Sequence, residues 1–408
     1  VKFLSKHQVA LAYLFAALTW LPLIGGFNGG WQGDTSIYRD DAEGIVQGRG
    51  PYRDLTVEYP PYALGIFLAP KWCGYGNYLD AFRILTAFCE LLIRGSLFWV
   101  GTRGSHSSRR WLPLISYAVA IPFLCAFLFQ RYDLWPALIC LVATIAFARG
   151  KILGSGLLIA LGIGVKLYPV LFVLPLFVLA WRRGKGGRFL TGLAIGLAPL
   201  FLLVFFMPWW RFLFLQGSRG LQCESLFASL IWGLHRLGLA DVDWLYVFRW
   251  FEVRGEVVTA VLPISKAVFF LAVLLSEIVS CLAAARSPNL GVGRIARLLL
   301  LPLLGFVAFN QVFSPQYMIW LLPLAALGTL EGNPWPPVAV AFATMLTPII
   351  FPSFGGDYGK GLNGWETMVL IMRNLILVAV WWIFLVEHWR IWQDRNSEAS
   401  QSNAVATL

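Results

Sequence analysis

Charge is what this sequence has least of. Only 13% of its 408 residues are Asp, Glu, Lys or Arg, while 58% are hydrophobic and the mean hydropathy is +0.70; soluble globular chains carry roughly 25% charged residues. No water-soluble core absorbs that much apolar surface, which excludes an ordinary soluble enzyme. Cysteine and histidine are also scarce. Cys73, Cys89, Cys125, Cys140, Cys223 and Cys281 contain no CxxC pair and no histidine at zinc-finger spacing, and the four histidines form no HExxH, so neither a structural nor a proteolytic zinc site is expected. Only Cys73 and Cys223 fall in segments expected outside, too few for a disulfide framework. A glycine-rich phosphate loop is missing, as is any internal repeat or inverted pair of broken helices, which argues against a P-loop enzyme and a secondary transporter.

What the chain has instead is apolar runs long enough to cross about 30 Å of hydrocarbon as helices. They place spans near 8–27, 78–100, 112–129, 133–148, 152–165, 168–181, 189–208, 259–285, 298–310, 317–330, 336–352 and 366–388. The expectation is an all-α polytopic transmembrane bundle of about 12 spans in one domain, 1–392, followed by a disordered polar tail, 393–408. The first apolar run exceeds a signal-peptide core of roughly 7 to 15 residues, so it is read as a retained first span. The net charge of +11 is concentrated in short interspan clusters, among them Arg109 and Arg110, Arg149 and Lys151, Arg182 to Arg188, and Arg294 with Arg297. That is the positive-inside pattern of a membrane protein rather than a nucleic-acid surface. It puts both termini inside and two long segments, 28–77 and 209–258, outside. Connections of that length usually carry function, and SLFASLIWGLHRLG in the second is expected to form an interfacial helix.

The first outer segment concentrates carboxylates: Asp34, Asp40, Asp41, Glu43, Asp54 and Glu58. Asp40, Asp41, Glu43 and Asp54 read most simply as a solvated face. Asp34 differs because it follows the first span closely, where packed loops strip it of water and suit it to take a proton from an incoming hydroxyl. Gly-Arg-Gly-Pro-Tyr and Glu-Tyr-Pro-Pro-Tyr supply turns, so the loop is expected to be ordered. Toward the same side lie Arg131 and Asp133 in FQRYDLWPA, Lys166 in GIGVKLYPV, and Gln311, Ser314, Gln316 and Tyr317 in FNQVFSPQYMIW. Arg83, Arg94, Lys266 and Arg373 fall within spans, where ionisable groups are costly and point to function or to buried pairs, an Arg131–Asp133 pair being one reading. Cations facing a carboxylate suit a phosphate leaving group opposite a nucleophilic hydroxyl, hence glycosyl or phosphoryl transfer.

In order, GDTSIY, GRGPYRDLTVEYPPY, KLYP and FSPQY resemble glycosyltransferase family 87, of the GT-C superfamily of membrane enzymes, over Trp20 to about Tyr317. The resemblance implies a sugar, most simply mannose, moved with inversion from a polyprenyl-phosphate donor to a lipid or glycan acceptor hydroxyl. It implies no cofactor, no nucleotide sugar and no nucleic-acid partner, and a multi-pass protein of a bacterial plasma membrane with its site on the non-cytoplasmic side. Asp34 matches the family's catalytic Asp and is expected as general base. Arg131 and Lys166 are then expected to hold phosphate, Glu58 and Tyr59 to shape the sugar pocket, and Gln316 and Tyr317 to line the donor site. Asp40 and Asp41 remain an alternative base or a metal-binding pair, although no divalent metal is expected. A transporter or flippase of lipid-linked sugars is the rival, and a noncatalytic scaffold subunit a second.

Overall fold

Lipid offers no hydrogen-bond partners, so an apolar run satisfies its backbone within itself as a helix. The computed structural model describes residues 6–27, 33–73, 76–104, 109–217, 219–247, 250–350 and 364–406. Its helices in chain order are α1 (Lys6–Phe27), α2 (Thr35–Val46), α3 (Ala63–Trp72), α4 (Tyr78–Gly104), α5 (Leu112–Ala120), α6 (Cys125–Leu128), α7 (Leu134–Ala148), α8 (Ile152–Val165), α9 (Val173–Arg182), α10 (Gly186–Leu203), α11 (Arg211–Gly217) and α12 (Leu226–Arg236). A hairpin, β1 (Asp243–Val247) and β2 (Trp250–Arg254), precedes α13 (Glu256–Arg286), α14 (Val292–Phe309), α15 (Tyr317–Gly328), α16 (Trp335–Ile350) and α17 (Glu366–Ala406). Every predicted span falls on helix, that near 112–129 being α5 and α6 joined by a 3₁₀ turn. Among the described residues, five helices have the length and hydropathy to cross a bilayer, and shorter apolar helices pack among them. The chain is a helical membrane protein.

The bundle has two ends. At one, short basic connections are tied together: Arg183 Nε donates to the Pro288 carbonyl (2.6 Å) and Arg109 Nη1 to the Gly332 carbonyl (2.5 Å). Arg297 binds Glu387 and the Asn333 carbonyl there. The other end carries the two long segments. α7 and α8 have 15 and 14 residues, or about 22 Å at 1.5 Å per residue, short of a hydrocarbon layer of about 30 Å. Joined through Arg149–Lys151 at the basic end, they bring Asp133 at the start of α7 against Lys166 at the end of α8 at the other.

Close backbone approach fixes one wall. Gly156 of α8 lies against the Phe189 carbonyl and Gly192 of α10 against the Leu153 carbonyl, so a methyl at either position runs into the facing backbone. With Ala160 opposite Gly196, this is the small-residue spacing that lets membrane helices pack closely. Gly192→Leu is expected to cost about 1–3 kcal/mol by overpacking, read as a lower unfolding temperature of the purified protein in detergent; an unchanged temperature contradicts the contact. Because Tyr62 Oη donates to the Gly196 carbonyl (2.7 Å), the first long segment loosens with it.

That segment is ordered, as its turns suggested. Tyr38 of α2 stacks on Phe67 of α3 (centroids 4.3 Å), and Tyr59, Phe82 and Tyr132 close around the pair. The second segment departs from the all-helical expectation. In DWLYV and WFEVR bulky aromatic and β-branched side chains favour strand, and β1 and β2 pair antiparallel. Backbone bonds from Val253 to the Leu221 carbonyl and from Cys223 to the Phe251 carbonyl lay residues 221–223 along the hairpin edge. α12 forms where the amphipathic run predicted a helix, capped by Ser225 Oγ, which accepts from the Ala228 amide (3.3 Å). It buries Ile231 and Trp232 against the protein and leaves Leu230 and Leu234 exposed. All six cysteines are free thiols.

Candidate active site

The site lies where the start of α2, the start of α7 and the end of α8 meet. Gly33 takes a left-handed φ of 52°, turning the chain into α2 with Asp34 as its N-cap, where the helix dipole favours a carboxylate. Asp34 pairs with Arg131. The contact is set by backbone, since Thr35 Oγ1 donates to the Gln130 carbonyl (3.3 Å) and so pins the start of α2 to the connection before α7.

Asp133 is the N-cap of α7 and only 1% exposed, so its carboxylate must be satisfied inside the protein. Lys166, just past the end of α8, pairs with it, and Trp320 Nε1 of α15 donates to the same Oδ1 (2.6 Å). The Lys166 ammonium also lies over the rings of Tyr132 (4.5 Å) and Trp320 (4.9 Å). Trp320 in turn is sandwiched by Tyr317 (centroids 4.0 Å) and Tyr168 (4.5 Å). Each carboxylate of the Asp34 and Asp133 pairs thus meets its cation from a different part of the chain.

A third pair joins the two long segments: Arg219 Nη2 to Glu58 Oε2, 3.5 Å. Arg219 is held from below, its carbonyl accepting from Gln311 Nε2 (3.0 Å), while the Gln222 amide donates to the Gln311 carbonyl (2.9 Å). Arg131 and Arg219 both act electrostatically on Lys166, and both act on Tyr317. Three cations and three carboxylates therefore gather beside aromatic rings.

The residues expected from sequence are distributed as follows. Asp34, Arg131, Lys166, Glu58 and Tyr317 converge. Tyr59 sits just behind, in the aromatic cluster, its carbonyl accepting from Tyr52 Oη (2.6 Å). Tyr52 itself holds a left-handed φ of 64°, backbone strain kept where the loop positions Glu58. Burial pushes the Tyr38 and Tyr59 hydroxyls above the usual tyrosine range, so both stay neutral. Gln316 is the N-cap of α15, and its side chain makes none of these bonds. Asp40 and Asp41 do not act together: Asp40 is exposed beside Arg39 (3.3 Å) and Asp41 is buried on α2, since neighbours on a helix diverge by about 100°. Of the charges within spans, Arg94 pairs with Glu90 and Arg373 with Glu224, apart from these groups.

Arg219 and Trp320 were not anticipated. Arg219 carries no distinguishing signal, since the segment 209–258 holds five arginines. Trp320 has none; in a chain with 19 tryptophans nothing in sequence singles out one.

A helical membrane protein whose cations and carboxylates gather at one end, under two long ordered segments, has the parts of an enzyme that handles an anionic group and moves a proton. The model of glycosyltransferase family 87 matches residues 57–263, half of the chain, and the chain belongs to that family. It is a membrane glycosyltransferase. The match includes Glu58, Arg131, Asp133, Lys166 and Arg219, whereas Asp34 and the 311–320 stretch lie outside it. The chain is also similar to GPI mannosyltransferase 1 of Saccharomyces cerevisiae (strain ATCC 204508 / S288c), 25% identical over 296 residues that cover 71% of this chain and 70% of that protein.

Proposed function

We propose that the chain transfers mannose, with inversion, from a polyprenyl-phosphate-linked donor to a hydroxyl of a lipid or glycan acceptor on the non-cytoplasmic face of a bacterial plasma membrane, with Asp34 as general base. The observation that carries the reading is the Asp34–Arg131 pair set beside Lys166 and Arg219. A base next to several cations is what the reaction needs: one group to accept the hydroxyl proton and others to hold the departing phosphate. Mannose follows the name of the similar yeast protein, a GPI mannosyltransferase.

In the mechanism, donor phosphate binds at the cations and competes for Arg131, which releases Asp34 toward the acceptor. The acceptor oxygen attacks the anomeric carbon from the face opposite the phosphate. As that C–O bond forms, the bond from the anomeric carbon to the phosphate oxygen breaks and its electron pair leaves with the phosphate. The hydroxyl proton passes to the Asp34 carboxylate. Charge developing on phosphate is met by Arg131, Lys166 and Arg219, so the leaving group needs no acid. The transition state resembles that of inverting glycosidases.

The test is turnover by purified protein in lipid nanodiscs, with and without chelator. Polyprenyl-phosphate-mannose should be consumed, GDP-mannose should not, and NMR of the product should show the inverted anomer. Donor that crosses the bilayer of proteoliposomes without being consumed would replace this reading with that of a flippase.

A further inference from the structure

One charged group sits outside the site yet touches two stretches that carry site residues. Arg373, in the third turn of α17, is 0% exposed. Its Nη1 donates to Glu224 Oε2 (2.8 Å), its Nη2 to the Glu224 carbonyl (2.9 Å), and its Nε and Nη2 to Asn374 Oδ1 (3.2 and 3.1 Å). Asn374 Nδ2 adds a bond to the same Glu224 carbonyl (3.1 Å). The guanidinium also lies 4.1 Å from the centre of the Phe313 ring. Glu224 ends the stretch that begins with Arg219, and Phe313 belongs to the stretch that carries Gln311 and Tyr317.

Those two stretches are bonded to each other as well, through Gln311 Nε2 to the Arg219 carbonyl and Gln222 Nε2 to Ser314 Oγ (3.4 Å). Phe313 is stacked nearly parallel on Tyr317 (14° between planes), and Tyr317 on Trp320, which bonds Asp133. A bridge therefore runs from α17 to Arg219 on one side and to the Lys166–Asp133 pair on the other.

A buried ion pair is weak evidence of stabilisation, because apolar residues of similar volume usually hold two elements together as well or better. What apolar residues cannot do is fix two loop segments in one register through directional bonds. We propose that Arg373 is a positioning residue for the donor: through Glu224 and Phe313 it sets Arg219 and Tyr317 where the donor's phosphate and sugar are held, without touching either. This rests on the donor reading above.

The experiment measures kcat and donor KM in nanodiscs, with unfolding temperature, for Arg373→Lys and for the double variant Arg373→Met with Glu224→Met, which removes the bridge and leaves no unpaired buried charge. Donor KM is expected to rise about tenfold in both and kcat to fall several-fold with it, since Arg219 also meets charge that develops on the phosphate, while acceptor KM holds. In an Arg219→Gln background, adding Arg373→Lys should raise donor KM by less than about twofold more, since both changes act on one contact. Donor KM at the wild-type value in folded variants overturns the proposal. So does a loss of folded protein in both variants with residual activity at wild-type KM, which leaves Arg373 a purely stabilising residue. If the wild type itself does not consume the donor, the reading of function fails, and the role of Arg373 with it.

Discussion

Asp34→Asn is expected to lower kcat for sugar transfer by about a thousandfold, in the middle of the range for loss of a general base, while donor still binds. Asparagine keeps the size of the side chain and can still meet Arg131, but it has no basic oxygen to take the hydroxyl proton. The measurement is a single-turnover rate with saturating polyprenyl-phosphate-mannose, paired with donor binding to the same preparation. Asp40→Asn, on the exposed face of α2 beside Arg39, should keep wild-type turnover. Full activity in Asp34→Asn would remove the base assignment and return attention to Asp41, the buried member of the neighbouring pair. Arg131 adds a further expectation. Because the donor's phosphate must compete with Asp34 for Arg131, phosphate-bearing donor should bind before acceptor, an order visible in initial-rate patterns.

The second large effect is at Lys166. Lys166→Met leaves Asp133, 1% exposed, without its cation. Removing one partner of a buried pair costs about 3–5 kcal/mol, and the unfolding temperature should fall accordingly. Adding Asp133→Leu should restore much of that stability, because the uncompensated charge is gone. Activity should not return with it, since a phosphate ligand is still missing and donor affinity stays low. Recovery of both stability and donor KM in the double variant would show that Lys166 serves the fold alone. The single variant cannot separate these roles; the pair of variants does.

Much of the architecture was legible because membrane helices obey a one-dimensional rule. Hydropathy and length placed each span from 8–27 to 366–388 on a helix that exists, and turn residues in GRGPY and EYPPY announced an ordered first segment. The hairpin was missed because a short run such as DWLYVFRWFEVRG reads as readily as a continuation of neighbouring helix; its strand form depends on edge pairing with residues 221–223. At the site, the sequence pointed to Asp34, Arg131, Lys166, Glu58 and Tyr317 by type and by nearness to span ends. It suggested pairing Arg131 with its near neighbour Asp133. Instead Arg131 reaches Asp34, 97 positions away, and Asp133 takes Lys166, 33 positions on.

What the sequence alone determined, then, is the solvent this protein lives in, the number and order of its apolar helices, and which residue types bear charge at their ends. Those follow from composition and period, because lipid demands closed backbone hydrogen bonds and tolerates few charges. Which cation meets which carboxylate, why Arg219 and Trp320 join the site and why Arg373 does not, was decided by the tertiary structure. Short helices α7 and α8 bring Asp133 and Lys166 together, glycines let α10 approach α8, and residues far apart in the chain arrive at one site. There each buried charge must take the partner that lies within reach, and reach is a property of packed helices rather than of sequence neighbours.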